Sequence, residues 1–195
     1  MTPMLDLEPA ARQLRTLLAG VSDDHLPAPT PSEGRSVADL LDHLMGLTVA
    51  FRDSATKTPG LTSQPPVTSA ENLDPGWREK LPVQLDDLVA AWRDPAAWEG
   101  MAEAGGVTLP AEVMAAVALD ELVLHGWDLA RSTGQPYHCD PESAQAVFEF
   151  ASASAAPGEE KNREGLFGPV VPVPDDAPLF DRALGFSGRD PAWTP

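Results

Sequence analysis

Leu14, Leu17, Leu18 and Val21 recur at the spacing of one helix face, and the pattern predicts a first helix over roughly Leu5 to Val21. Ser22-Asp23-Asp24-His25 and the prolines at 27, 29 and 31 end it. A second helix begins after Ser36, whose hydroxyl can cap the first turn. Asp39, three residues on, suits the positive end of the helix. Its apolar positions Val37, Leu40, Leu41, Leu44 and Leu47 carry it to Phe51. Residues 54–74, rich in Thr, Ser, Pro and Gly, read as a surface crossover. From Asp74-Pro75 a third helical stretch carries Trp77, Leu81, Leu85, Leu88, Val89 and Trp92. Pro82 inside it predicts a kink or a split, since its ring lacks an N–H and crowds the preceding turn.

Pro95 to Gly106 reads as a loop with short extended pieces near Trp98 and Val107. The fourth helix, about Pro110 to Ser132, is apolar on most sides through Val113, Val117, Leu119, Leu122, Val123, Leu124 and Leu129, the signature of a helix central to a core. Gly134 is placed to cap its C-terminus. A shorter helix follows Pro141 through Ala146, Val147, Phe148 and Phe150. After Gly158 the chain is polar, then Pro-rich from Pro169 to Pro178, with a short helix over Leu179 to Leu184. No strands alternate with the helices, and no repeat divides the chain. The expected fold is all-α, a helical bundle with long crossover loops and a Pro-rich C-terminal tail, in a single domain over 1–195.

Composition narrows the partners. The 43% of hydrophobic residues can bury a core, while 13 Lys and Arg against 30 Asp and Glu leave a net charge of −17. Such a surface repels phosphate, so neither nucleic acid nor an anionic membrane is an expected partner. The N-terminus lacks a basic region and an apolar run, and no segment approaches the roughly 20 apolar residues of a membrane span. A cytoplasmic location is expected. It suits the single cysteine, Cys139, which excludes an intrachain disulfide.

The chemistry concentrates on the fourth helix. Glu121 and His125 stand four apart, so both leave one face, on a stripe that is apolar through Val113 and Val117. A carboxylate and an imidazole on an inward stripe need a partner. A Glu–His hydrogen bond supplies one, and so does a divalent metal, which takes imidazole nitrogen and carboxylate oxygen. His43 also sits on an apolar line, between Leu40 and Leu47. Two polar intrusions on two helices are explained together if His43, Glu121 and His125 share one ion, zinc before nickel. Three protein ligands leave a position open, as a catalytic site requires. Asp128, one turn after His125, either orients that imidazole from behind or is solvated near the helix end. Asp42 and Asp120 adjoin the ligands and are expected to point elsewhere. His25 and His138 lie in loops, and Cys139 reads as an inert thiol.

The stretch Leu119-Asp120-Glu121-Leu122-Val123-Leu124-His125-Gly126-Trp127-Asp128-Leu129-Ala130 resembles the hallmark of actinobacterial DinB-like metal-binding proteins, akin to the N-terminal domain of mycothiol-dependent maleylpyruvate isomerase. Val37-Ala38-Asp39-Leu40-Leu41-Asp42-His43-Leu44 resembles their other metal helix, and the tail from Phe167-Gly168-Pro169-Val170 to Gly188-Arg189-Asp190-Pro191 is similar to their ending. The resemblance implies a DinB-like four-helix bundle holding a divalent metal by His43, Glu121 and His125. It departs at two points. Arg35 stands where the family usually has Trp, and 195 residues leave no room for the isomerase's further C-terminal domain.

Two mechanisms suit an open His–Glu–His site: stabilising a bound thiol as its thiolate, or lowering the pKa of a bound water for hydrolysis. The resemblance implies the first, a mycothiol-dependent transferase or isomerase whose partners are a small-molecule thiol and an electrophilic substrate, with a homodimer permitted. The competing reading is a non-enzymatic bundle that binds a metal or small ligand. No catalytic acid or base beyond the ligands stands out, Asp128 and Tyr137 being the candidates.

Overall fold

Side-chain caps set where two of the α-helices begin. The computed structural model describes residues 4–58, 67–158, 163 and 165–195. Helix α1, Glu8–Ala19, starts with Pro9 in its first turn. Helix α2, Val37–Ala55, opens on the expected capping box: the Asp39 N–H donates to the Ser36 hydroxyl at 3.3 Å, and the Ser36 N–H returns a bond to the Asp39 carboxylate at 2.8 Å. Helix α3 spans Trp77–Trp92 and α4 spans Ala111–Thr133, the latter ending on Gly134 at φ +66°. Asp140 caps α5, Pro141–Ser154, and α6 covers Leu179–Phe186. The fold is mostly helical.

Two expectations are corrected. Pro82 does not split α3, which runs as one helix through it. The carbonyl that the proline deprives of a bond belongs to Arg78, in an exposed first turn where no buried acceptor is orphaned. The fold is also not purely α. Of the short extended pieces expected between α3 and α4, the one near Val107 is present: β2, Val107–Pro110, pairs with β1, Met101–Ala104, as an antiparallel hairpin, while the one near Trp98 is instead a 3₁₀ turn, Pro95–Trp98. Gly105 and Gly106 turn the chain with φ of +58° and +79°, values that favour glycine at both positions. The expected crossover over residues 54–74 lies partly outside the described residues; its end, 67–74, contains a 3₁₀ turn at Ala70–Asn72 held to α2 by Asp39 and Asp42.

Helix α4 packs against α1, α2 and α5, which explains why it is apolar almost all round. Helices α2 and α3 pack together, α1 also meets α3, and α5 meets α6. Leu14, Leu41, Leu44, Leu81, Leu85, Leu122 and Leu129 fill the shared interior. The Pro-rich segment lies across the end of α6, where the Val171 N–H donates to the Gly185 carbonyl at 2.9 Å. Arg131 of α4 donates to the Trp193 carbonyl at 3.0 Å and pins the tail. Among the described residues no helix is long and apolar enough to cross a membrane.

Candidate metal centre

The helical repeat puts Glu121 and His125 on one face of α4, and the packing of α2 against α4 brings His43 to them. One Glu121 oxygen, Oε2, lies 2.9 Å from His125 Nε2 and 3.5 Å from His43 Nε2. The two imidazoles meet edge to face with centroids 4.9 Å apart. The three donor atoms lie within 4.8 Å of one another. Two ligands of a single ion at bond lengths of about 2.0–2.2 Å sit at most about 4.3 Å apart. Small side-chain rotations therefore close the set on a cation, and two imidazoles with one carboxylate suit a divalent metal.

Asp128, which could have been solvated, is fully buried behind His125. Its Oδ2 is 3.0 Å from His125 Nδ1, and both its oxygens accept from Arg189: Nε to Oδ1 at 2.8 Å and Nη2 to Oδ2 at 2.7 Å. A carboxylate at Nδ1 keeps the proton there and turns the Nε2 lone pair toward the centre, the arrangement that metal-binding histidines use. Burial alone would raise the Asp128 pKa, yet the Arg189 guanidinium holds it below the usual carboxylate value.

The same balance operates on the other groups. Burial opposes charge on Glu121, but hydrogen bonds from His125 and His43 outweigh it and lower its pKa well below the ordinary range. Burial likewise opposes charge on His125, and bonds to Asp128 and Glu121 overcome it, raising the pKa to about 9. In the metal-free protein His125 is thus an imidazolium between two carboxylates, and the Nε2 proton has to leave before that atom can act as a ligand.

A cavity of about 210 Å³ opens beside the three donors, and among the described residues no further protein ligand joins them. Leu40 and Leu124 supply apolar wall, Thr30, Ser32 and Arg35 line it from the segment before α2, and Leu166, Phe167, Gly168 and Arg189 line it from the tail.

Residues 7–130 match the family model described as the mycothiol maleylpyruvate isomerase N-terminal domain. The chain belongs to this family. It is also similar to uncharacterized proteins from two strains of Mycobacterium tuberculosis, each 29% identical over 201 residues and covering 97% of this chain and 98% of the relative. No solved structure matches it significantly. The family match includes α1 to α4 up to residue 130, and therefore His43, Glu121, His125 and Asp128. Arg189 and the tail wall of the cavity lie beyond it.

Several expectations about neighbouring residues change. Asp120 does not point elsewhere: it is 1% exposed, lines the cavity, and its Oδ1 has no hydrogen-bond partner among the described residues. Burial and the adjacent Glu121 push its carboxyl well above the ordinary range. Asp42 does turn away and accepts from the Ser69 N–H at 3.0 Å. The Tyr137 hydroxyl donates to the Val123 carbonyl at 2.8 Å, outside the cavity lining, so it is not poised as an acid or base there. His25 bonds the Ser22 N–H at 3.1 Å and His138 is exposed; neither joins the cluster. Burial pushes the Cys139 thiol up to about 12, which agrees with an inert role. Sequence reasoning missed Arg189. Its signal was the glycine-flanked Gly188-Arg189-Asp190-Pro191, a charged residue inside a loop motif without local periodicity.

Proposed function

We propose that the protein binds one divalent cation, zinc before nickel, through His43 Nε2, Glu121 Oε2 and His125 Nε2, and uses it to activate a low-molecular-weight thiol such as mycothiol for transfer or isomerisation. The observation that carries this reading is the convergence of two imidazoles and a carboxylate beside an open cavity in a family named for mycothiol chemistry. Bound there, the cation supplies Lewis acidity that favours thiolate, the nucleophilic form, over thiol. The protein's own groups do the rest. Asp128 holds the proton on His125 Nδ1, and Arg189 keeps Asp128 ionised. Glu121 brings a negative charge to the cluster, and Leu40 and Leu124 limit water at its open side. The electrophile enters through the cavity, with Asp120 and Arg35 on its walls. The helices are read as a DinB-like four-helix bundle formed by α1 to α4, extended by the tail into one domain, in a cytoplasmic protein.

The test is elemental analysis of protein purified without a histidine tag, followed by a thiol assay. About one zinc or nickel per chain is expected, lost in His43→Ala and Glu121→Gln and kept in His25→Ala. Metal-loaded protein should deplete mycothiol in the presence of a halogenated aromatic electrophile. Absence of metal together with unchanged melting in chelator overturns the metal site. Metal without thiol depletion overturns the transfer reaction and leaves a metal-binding bundle.

A further inference from the structure

We propose that Arg189 is a positioning residue for the metal centre, acting through Asp128 to hold the His125 imidazole with Nε2 turned toward Glu121 and His43. The inference rests on the metal-binding reading of that cluster and extends it to a tail residue beyond the matched family stretch.

The Arg189 fork engages both oxygens of Asp128, at 2.8 and 2.7 Å, while one of those oxygens also meets His125 Nδ1 at 3.0 Å. Asp128 is fully buried and the Arg189 side chain is only 11% exposed. A carboxylate gripped by two parallel charge-assisted bonds cannot rotate without breaking both, and little water is at hand to replace them. The imidazole it faces is therefore fixed in its plane. A single ammonium on a flexible stem would leave that rotation free.

The tail is built to deliver this side chain. Gly188 has φ +85°, and a Cβ there would sit 2.8 Å from the Cα of Gly168, so two tail segments cross where both lack side chains. The Arg189 N–H then donates to the Leu184 carbonyl at 2.8 Å, anchoring the residue to the end of α6. Arg163 donates to the carbonyls of Gly168 and Phe186, tying the two crossing segments together. The segment that walls the cavity through Leu166, Phe167 and Gly168 is thus held in register with the one that carries Arg189. Closing the cavity and orienting His125 become one structural event, which explains why a buried cation is placed behind a metal ligand at all.

The experiment measures zinc affinity by competition with a chromophoric chelator, and the visible spectrum of the cobalt-substituted protein, in the full-length wild type, Arg189→Met, Arg189→Lys, Asp128→Asn and the Asp128→Asn/Arg189→Met double variant. Circular dichroism confirms the fold of each. Loss of an outer partner of a metal-bound histidine lowers affinity roughly 10–100-fold. That loss is expected for Arg189→Met with altered cobalt bands, a smaller loss for Arg189→Lys, and a double variant no worse than Asp128→Asn alone. Zinc affinity within twofold of wild type and an unchanged cobalt spectrum in folded Arg189→Met overturn the proposal. If Arg189→Met does not fold, wild-type affinity and spectrum in Arg189→Lys overturn it, because an ammonium cannot hold both oxygens. Failure of the wild type to bind zinc is a different result and removes the metal site itself.

Discussion

Asp128→Asn isolates what the buried network contributes to folding, independently of any metal. The substitution is nearly isosteric and creates no cavity, but it removes the charge that faces Arg189 over two bonds and His125 over one. Asp128 is fully buried and Arg189 nearly so, so solvent screens the pair little. Removing one partner of a buried pair costs roughly 3–5 kcal/mol, chiefly because the other charge stays buried and uncompensated. With a urea dependence of about 2 kcal/mol per molar, the unfolding midpoint of the metal-free protein falls by about 2 M. Arg189→Met leaves Asp128 facing the His125 imidazolium, 3.0 Å away, and loses less. The double variant Asp128→Asn/Arg189→Met strands neither charge, and is expected to be more stable than the sum of the single losses by at least about 2 kcal/mol. The assay is urea unfolding in chelator, followed by circular dichroism and Trp fluorescence, with slopes checked for constancy. Additive single losses within about 0.5 kcal/mol, or an Asp128→Asn loss below about 1 kcal/mol, would refute the network as a buried, coupled unit.

Other predictions follow from the same structure. His125 titrates near 9 in the folded metal-free protein against an ordinary value of 6.5, so its stabilising contribution is fully present below pH 6.5 and disappears as pH rises through 9. It amounts to at most about 3 kcal/mol, and a urea series from pH 6 to 10 should show the decline in wild type and a flatter line in His125→Asn. Glu121 has the opposite sign: its lowered pKa contributes above pH 4.5 and is lost on acidification, so Glu121→Gln should lessen the acid sensitivity measured by the same method. Gly188→Ala places a Cβ against Gly168 in a left-handed backbone region and should cost about 2 kcal/mol or more, read as a lower thermal midpoint and faster proteolysis of the tail. Leu122→Ala, in the fully buried centre of α4, should cost roughly 2–5 kcal/mol and serves as a reference for ordinary core damage, leaving zinc stoichiometry intact at low temperature.

The amino-acid sequence by itself determined what depends on near neighbours along the chain. Helix periodicity located α1 to α6 to within a few residues, Ser36 and Asp39 marked the start of α2, and a fixed rotation of about 100° per residue put Glu121 and His125 on one face whatever surrounded them. Local rules failed where context decides: Pro82 does not split α3, the carbonyl it leaves lying on the exposed Arg78, and the extended piece expected near Trp98 is a 3₁₀ turn, whereas the one near Val107 finds a partner strand. Tertiary structure alone decided the rest of the site. Whether Asp128 is a solvated helix-end acid or a buried anchor depends on Arg189, which arrives from 61 residues away through crossing loops without periodicity. Asp120 faces the cavity rather than away because tail residues complete that cavity, and His43 reaches Glu121 only through the angle at which α2 meets α4. The physical reason is that side-chain direction within an element is set by backbone geometry, whereas burial and partnership are set by whatever packs against it.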